Sequence, residues 1–466
     1  MIVMKFGGTS LQDAKSIRRA VDIVAKQQDR NPLVVVSAIG ATTRDLLHLG
    51  DLALSDSVDA ARVSLESVAQ RHRDILEELN GRPPDPSAGD KISAYVDDIT
   101  RLLQGISLLQ EFTPRTQDAI IAHGERLSSL LFVTAARNAG LDAVSINAGG
   151  VVITDARFRA ARPDREELGR RARNTIAPVI AENRIPVVEG FIGATRDGVT
   201  TTMGFEASDY TASLLGAALN AAEIQIWTDV GGMLTTGHAG VDDVMSIREL
   251  SFDEAAEMSL FGAKVLHPNT IEPAVDKNIP LRVLHSACPE RKGTTIFGST
   301  GNTRGVVKSI AVQDEVVVVR LRSPHATPIH RALWSIGETL DRHEVSTHLV
   351  ASSGRRAVLV VAASRQLDRV LAELEQTLEL SPSEHGVIVS LVGEDVGATP
   401  GIVSRATSAI KDVLILIAPY GASDTSVSFV VQQENADEVV MKLHTTFFDK
   451  DVRPGVFVRT EAKTRS

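Results

Sequence analysis

Cysteine is nearly missing from this chain of 466 residues, with Cys288 standing alone. That excludes an intrachain disulfide and a cysteine-built zinc site, and it fits a reducing compartment. No apolar run approaches the roughly 18 residues that a membrane-spanning helix needs, and the first residues read as a strand rather than a signal peptide. Positive charge is in deficit as well: 49 Lys and Arg against 59 Asp and Glu give a net charge of −10. The balance argues against a nucleic-acid or anionic-membrane partner. Also lacking are the Walker A spacing and any evident Ser-His-Asp or metal-ligand cluster. What is present, 43% hydrophobic and 23% charged residues, is the composition of a soluble globular protein. A cytoplasmic location and more than one domain are expected.

The stretch Met4-Lys5-Phe6-Gly7-Gly8-Thr9-Ser10 organises the N-terminal part. Met1 to Phe6 reads as a buried strand, and Ile17, Val21 and Val24 mark one face of the helix that follows. A strand that turns through Gly7-Gly8 into a helix start gathers backbone N–H groups and a helix N-terminus at one point, which attracts phosphate. Lys5 adds a mobile charge there. Taken alone, the motif is equally compatible with a tight turn holding no ligand. Pro32–Ala38 predicts a second strand, and Leu52–Leu109 two helices broken around Pro83-Pro84-Asp85-Pro86. A helix around His123–Ser129 follows, then strands at 143–146, 185–189 and 224–227 separated by helices. Alternating apolar strands and helices predict an α/β fold with a largely parallel sheet covered on both faces, over residues 1–297.

Residues 298–308, rich in Gly, Ser, Thr and Asn, read as a linker. Beyond it a pattern occurs twice. Glu315–Arg322, Ala326-Thr327-Pro328, a helix and Arg356–Ala362 form one unit over 309–384. Val387–Val392, Ala398-Thr399-Pro400, a helix and Ser426–Val431 form the second over 385–466. Each predicts a βαββαβ ligand-sensing module, although two lobes that only dimerise have the same pattern. The C-terminal tail is a candidate to complete the first module.

Three stretches carry the remaining chemistry. Ser208 or Asp209 can cap the helix that opens there; alternatively Asp209 faces Lys5, since a buried lysine is costly without a partner. Thr228 and Asp229 end a strand, where open α/β sheets bind nucleotides, though a strand-end Asp also serves turns. Lys264 lies in Phe261-Gly262-Ala263-Lys264-Val265-Leu266-His267-Pro268, whose small residues leave room for a phosphate. These parts suit phosphorylation of a carboxylate. Such a nucleophile is already ionised and needs positioning and charge neutralisation rather than a general base.

KFGGTS (5–10), HGERLS (123–128), EGFIG (189–193), SDYT (208–211), WTDV (227–230) and FGAKVLHP (261–268) together resemble aspartate kinase, in the order and spacing of that family. The duplicated tail resembles its paired ACT domains. The resemblance implies a three-layer αβα amino-acid-kinase domain, carbamate-kinase-like, followed by two ACT modules. The implied reaction turns L-aspartate and ATP, with Mg2+, into 4-phospho-L-aspartate and ADP, the first committed step toward lysine, threonine, methionine and diaminopimelate. An amino-acid effector at the ACT modules and a homodimer or larger homo-oligomer are also implied. By position, Lys5 activates the phosphates and Asp209 orients it. Gly7, Gly8, Ser37, Thr228, Asp229, Lys264 and Val265 take the nucleotide. Thr42, Glu125, Phe191 and Ser208 take the aspartate, with Glu125 matching its ammonium. No resident metal site is implied.

Three departures stand out. Where the family reads Gly-Arg-Gly-Gly-Ser-Asp, with the arginine on a substrate carboxylate, this chain has Gly204-Phe205-Glu206-Ala207-Ser208-Asp209. Loss of a bidentate arginine–carboxylate pair costs several kcal/mol unless another arginine replaces it. After WTDV, a Thr-x-Asp-Pro-Arg segment gives way to Thr235-Thr236-Gly237-His238-Ala239. In the first ACT module His348 stands where lysine-sensitive members place an aspartate, which predicts weak or absent lysine inhibition. The departures keep two alternatives open: a sensing protein that has lost turnover, and a kinase for another amino-acid carboxylate.

Overall fold

The computed structural model describes residues 1–55, 58–79, 86–204, 207–241, 243–262, 268–299, 303–324, 329–449 and 455–459. By packing, the chain forms two compact units, Met1–Met233 with Leu266–Gly298, and Leu234–Val265 with Ser299–Ser466.

In the first unit, strands β1 (Ile2–Phe6), β2 (Pro32–Val36), β3 (Ala143–Ile146) and β4 (Ile185–Glu189) precede a small hairpin, β5 (Ile192–Ala194) and β6 (Thr200–Thr202). β7 (Ile224–Thr228) closes this run. After an excursion through β8 (Met245–Ile247) and β9 (Glu249–Ser251), the chain returns with β10 (Leu281–His285) and β11 (Thr294–Phe297). The sheet runs β3-β4-β2-β1-β7-β10-β11. All its pairs are parallel except β10 with β11. β1, β2 and β4 are buried throughout, as expected for apolar strands covered on both faces.

Helix α1 (Ala14–Ala25) is capped by Asp13, which accepts from the Ser16 N–H, and buries Ile17, Ala20, Val21 and Val24. It shares a core with Phe6 and with Leu131 and Phe132 of a helix at His123–Asn138. Between them come α2 (Thr42–Ser55), α3 (Val58–Leu79), α4 (Pro86–Leu109) and α5 (Pro114–Ile121), so His123–Asn138 is α6. α2 begins ten residues earlier than the helical periodicity suggests, because Thr42 and Asp45 already hydrogen-bond back to Ile39 and Ala41. The opposite layer holds α7 (Arg165–Ala181) and α8 (Ser208–Leu219), with α9 (Phe252–Leu260) belonging to the second unit and α10 (Pro268–Lys277) packing on α8.

The second unit is built on one antiparallel sheet. Its strands are β12 (Ser309–Arg322), β13 (Thr347–Ser353), β14 (Arg356–Ala362), β15 (Glu379–Leu380), β16 (Glu384–Val392), β17 (Ile415–Ile417) and β18 (Ser426–Gln432). The order is β13-β14-β12-β16-β18-β17, with β15 beside β12. The expected modules are therefore halves of one sheet, joined where Ser309 to Gln313 pair with Val392 to Ile388. Val317, Val319 and Leu321 bury against α11 (Ile329–Arg342) and α12 (Leu367–Leu374), while α13 (Ile402–Ala409) and α14 (Ala436–His444) belong to the second half. The tail strand β19 (Phe457–Arg459) pairs with β8; β15, not the tail, flanks β12 of the first half.

Residues 234–265 join this unit for a physical reason. Glu254 forms a capping box with Ser251 at the start of α9. Its carboxylate also takes the ammonium of Lys308 at 2.7 Å and the Glu394 N–H at 2.7 Å. Both side chains of the ion pair are fully buried. Gly262, at φ 96°, brings its backbone so close to the Val312 carbonyl that a Cβ would sit 2.2 Å from it. The glycine read in the sequence as room for phosphate is needed here for packing. Lys308→Met will leave a buried, uncompensated carboxylate and cost about 3–5 kcal/mol by urea denaturation, and the double variant Lys308→Met/Glu254→Met will recover only part of that, because the Ser251 and Glu394 N–H groups lose their acceptor. Equal losses in the single and double variants would contradict it.

Candidate active site

The sheet order changes direction around β1: the chain continues to β2 on one side and reaches β7 on the other only much later. Such a switch point opens a crevice at the carboxyl ends of the strands. Phe6, Val36, Glu189 and Thr228 end the four strands there.

Beyond Phe6 the chain makes a short 3-10 turn, Gly8–Leu11, and not a long helix start. The Gly7 N–H goes to Trp227 O and the Ser10 N–H to Gly7 O, each at 3.0 Å. Ser10 Oγ donates to Ser286 Oγ at 2.7 Å, tying the turn to the end of β10. Gly8 must be glycine, since a Cβ would lie 2.6 Å from the Ala38 carbonyl. Opposite, Ser37 donates its N–H to Phe6 O and Gly40 donates to Gly8 O. The Gly-Gly turn and the residues after β2 thus lock together.

Lys5 stands on β1 between Val35 and Ile226. Its ammonium is in direct contact with the Asp209 carboxylate, and both residues are only 8% exposed. A Cβ on Gly7 would come 3.6 Å from Lys5 Nζ, so the missing side chain leaves that amine open on one side. Ala207, with no side-chain bond, occupies the N-cap of α8. Ser208 and Asp209 therefore do not cap it; Asp209 lies in the first turn and turns to Lys5 instead.

Glu125, in the first turn of α6, is 3% exposed. One oxygen accepts the Ala38 N–H at 3.1 Å and the other has no hydrogen-bond partner. Burial pushes its carboxyl up to about 8, against the pull of the backbone hydrogen bonds, while Glu189 nearby raises it further and Lys5 lowers it. Glu189 is also raised by burial and is held by the Ala148 N–H at 2.7 Å. A third buried carboxylate, Asp118, accepts Thr202 N, Thr202 Oγ1 and the Arg159 N–H. Burial raises it too, with the Thr202 hydroxyl as the main opposing influence. Sequence reading did not single out Glu189 or Asp118 as site residues. Carboxylates at a strand end and inside a helix become remarkable only when burial is known.

Thr42 is buried, donates to Ile39 O at 2.6 Å and accepts from Arg71. Phe191, buried at φ 66°, donates its N–H to Thr211 Oγ1 and accepts from the Met203 N–H. Ser208 packs so tightly on Gly190 that a Cβ there would meet it at 2.6 Å. At the end of β7, Thr228 donates to Asp229 and accepts the Ser286 N–H. Lys264, Val265 and Phe205 lie outside the described residues. The Thr235–Ala239 segment belongs to the second unit, where Thr235 bonds to His444 and His238 to Asp437 on α14. Among the described residues, no group of three acidic, His or Cys side chains could hold a metal ion, and no helix is long and apolar enough to cross a membrane.

The amino acid kinase family matches residues 1–285, and an ACT domain matches residues 389–447. Lysine-sensitive aspartokinase 3 of Escherichia coli is 32% identical over 464 residues, covering 96% of this chain and 99% of the relative. Chloroplastic aspartokinase 1 of Arabidopsis thaliana is 31% identical, covering 96% and 80%. The crystal structure of E. coli aspartokinase III in complex with aspartate and ADP, in the R-state, superposes with a TM-score of 0.85 at 33% identity, covering 96% of this chain and all of that one. The T-state complex with lysine and aspartate gives 0.79. Full-length similarity of this kind, together with the fold and both domain matches, places the chain in the amino acid kinase family, among the aspartokinases.

Proposed function

We propose that the crevice at the carboxyl end of β1 transfers the γ-phosphoryl group of ATP to the side-chain carboxylate of L-aspartate, with Lys5, Asp209 and Glu125 in the leading roles. The observation that carries this reading is the buried Lys5–Asp209 pair beside a carboxylate with one unpartnered oxygen. The aspartate oxygen attacks γ-phosphorus, the bond to the β,γ-bridging oxygen breaks, and ADP leaves with that electron pair. No proton moves, because the nucleophile is already ionised. Lys5 offsets the charge on the transferred group, and Asp209 holds the ammonium in place. Glu125 takes the substrate ammonium. Ser208, Thr42 and Phe191 shape that end of the pocket, with Thr42 held to Ile39 O and Phe191 to Thr211 Oγ1 and the Met203 N–H. Gly7, Gly8, Ser37, Thr228 and Asp229 border the nucleotide. Magnesium enters with ATP and is held chiefly by the phosphates. Incubation with Mg-ATP, L-aspartate and hydroxylamine tests the assignment: aspartyl hydroxamate is expected from the wild type and is lost in Lys5→Met. Hydroxamate formed equally by both would overturn it.

For the effector, the supporting observation is His348. It is half-buried, burial holds its imidazole below the usual range, and Nε2 has no partner. A neutral ring cannot match an ammonium. Millimolar lysine is expected to leave the rate unchanged in the hydroxamate assay, and strong inhibition would contradict this. The chain is proposed to act as a homodimer or larger assembly through the second unit. Edge strand β13, which runs through the largely exposed residues Thr347–Ser353, offers an unpaired ladder to a second copy.

A further inference from the structure

At the switch point β1, β7 and β10 end side by side, with Phe6 beside Trp227 and Trp227 beside Leu284. β7 lies between the other two. A link from the Gly7-Gly8 turn to β10 therefore has to cross the end of β7, about 10 Å at ordinary strand spacing. Ser10 and Ser286 make that crossing, and both are buried. The roles assigned above use neither hydroxyl.

The two hydroxyls are ordered in one direction. Ser286 Oγ donates to Thr228 O at 3.1 Å, which leaves its lone pairs for the Ser10 hydroxyl at 2.7 Å. Ser10 Oγ also lies 3.2 Å from Trp227 O, but its one proton serves one acceptor at a time and the bond to Ser286 is the shorter. The Ser286 N–H reaches Thr228 O as well, at 2.8 Å. Thr228 in turn donates its hydroxyl to Asp229 at 3.1 Å. Two hydroxyl bonds thus connect the glycine turn to the residue that holds Asp229. On its other flank the turn is tied by backbone, through Ser37 to Phe6 and Gly40 to Gly8. Buried hydroxyls cost free energy unless bonded, and once bonded they fix the separation of what they join.

We infer that Ser286 is a positioning residue for the nucleotide: through Ser10 it fixes the Gly7-Gly8 turn against the Thr228-Asp229 end of β7, so that a nucleoside triphosphate reaching from one to the other meets both in a single register. The inference rests on the nucleotide border assigned above to Gly7, Gly8, Thr228 and Asp229. In this role Ser286 does not need to touch the ligand. It removes the freedom of two half-sites to shift against each other, which a ligand spanning both would otherwise have to freeze on binding. A ligand filling one half alone gains nothing from it.

Ser286→Ala tests this in the full chain. The variant keeps the backbone bond to Thr228 O, and the Ser10 proton retains Trp227 O as an acceptor, so no buried donor is stranded. Its melting temperature should stay within about 4 °C of wild type. In the hydroxamate assay its KM for ATP should rise about tenfold, while its KM for L-aspartate stays within about twofold. The decisive readout is ligand length, which a merely structural bond would not sort. Magnesium tripolyphosphate and adenosine, each filling one half, are titrated as competitors of ATP, and their inhibition constants should agree between wild type and variant within about twofold. Ser10→Ala should reproduce the loss for ATP, and the double variant should bind ATP no more weakly than either single, because both act through one bond. An unchanged ATP KM in Ser286→Ala, or a loss for either competitor as large as that for ATP, overturns the inference. Asp229→Ala separates it from the underlying assignment. If that variant raises the ATP KM and Ser286→Ala does not, only the role of Ser286 falls. If neither raises it, the nucleotide border is misassigned and the inference falls with it.

Discussion

Glu125→Gln is expected to lose aspartate binding and, at the same time, to escape a pH-dependent loss of stability that the wild type suffers. The carboxyl is pushed up to about 8 by burial, from an ordinary value of 4.5. Between those two values the native state keeps a proton that the unfolded chain has released, so wild-type stability falls as pH rises through this window. At about 1.4 kcal/mol per unit, the penalty reaches on the order of 4–5 kcal/mol above pH 8. Glutamine does not titrate, and its oxygen can still accept the Ala38 N–H. Chemical denaturation at pH 5, 7 and 9 should therefore show the variant gaining on the wild type as pH rises; parallel curves would refute the assignment of the shift to Glu125. Function runs the other way. The substrate ammonium needs the ionised carboxylate, so the wild-type KM for aspartate should fall roughly tenfold per unit between pH 6 and 8. In the variant it should be about 100-fold higher than wild type at pH 8 and flat with pH. The protein thus holds a carboxylate in a place where it is uncomfortable until the ligand arrives.

The second large effect concerns the Lys5–Asp209 pair. Lys5→Met should lower kcat by about 10²–10³-fold, since a charge aimed at the transferred phosphoryl group is lost, and should also cost stability by leaving the nearly buried Asp209 carboxylate without its counter-charge. Asp209→Asn should cost the fold as well: it leaves an ammonium nearly out of water without its counter-charge, a change that costs about 3–5 kcal/mol when the group is fully buried and somewhat less here. The two should not add. The double variant should be no slower than Lys5→Met and more stable than Asp209→Asn, because the aspartate acts only through the lysine. Additive rate losses, read by ADP release, would mean that Asp209 has a contact of its own with the reactants.

The chain is an aspartokinase with an ACT domain, and much of that is legible in its residues. Strands such as Leu33–Val36 and Val187–Val188 announce burial on both faces, and Gly7-Gly8 after Lys5 marks where the sheet turns toward a ligand. The pairing of Lys5 with Asp209 follows from the cost of burying either alone. Other features depend on contacts distant along the chain. The capping role open to Ser208 and Asp209 is refuted by Ala207 taking the N-cap. Glu189 and Asp118 look like ordinary polar residues until their desolvation is known. The Gly262 requirement is visible only against Val312, fifty residues on.

The side on which residues 234–265 fall has a practical consequence for anyone shortening this protein. A chain stopped at Gly298 would strip α9 of Lys308, Val312 and the Glu394 amide, baring the Glu254 carboxylate and the hydrophobic underside of the helix that leads into Gly262. The remainder, expressed alone from Ser299, would lack β8 as the partner of its last strand. Cutting at the link does not yield a catalyst and a sensor, but two fragments that each miss part of the second unit.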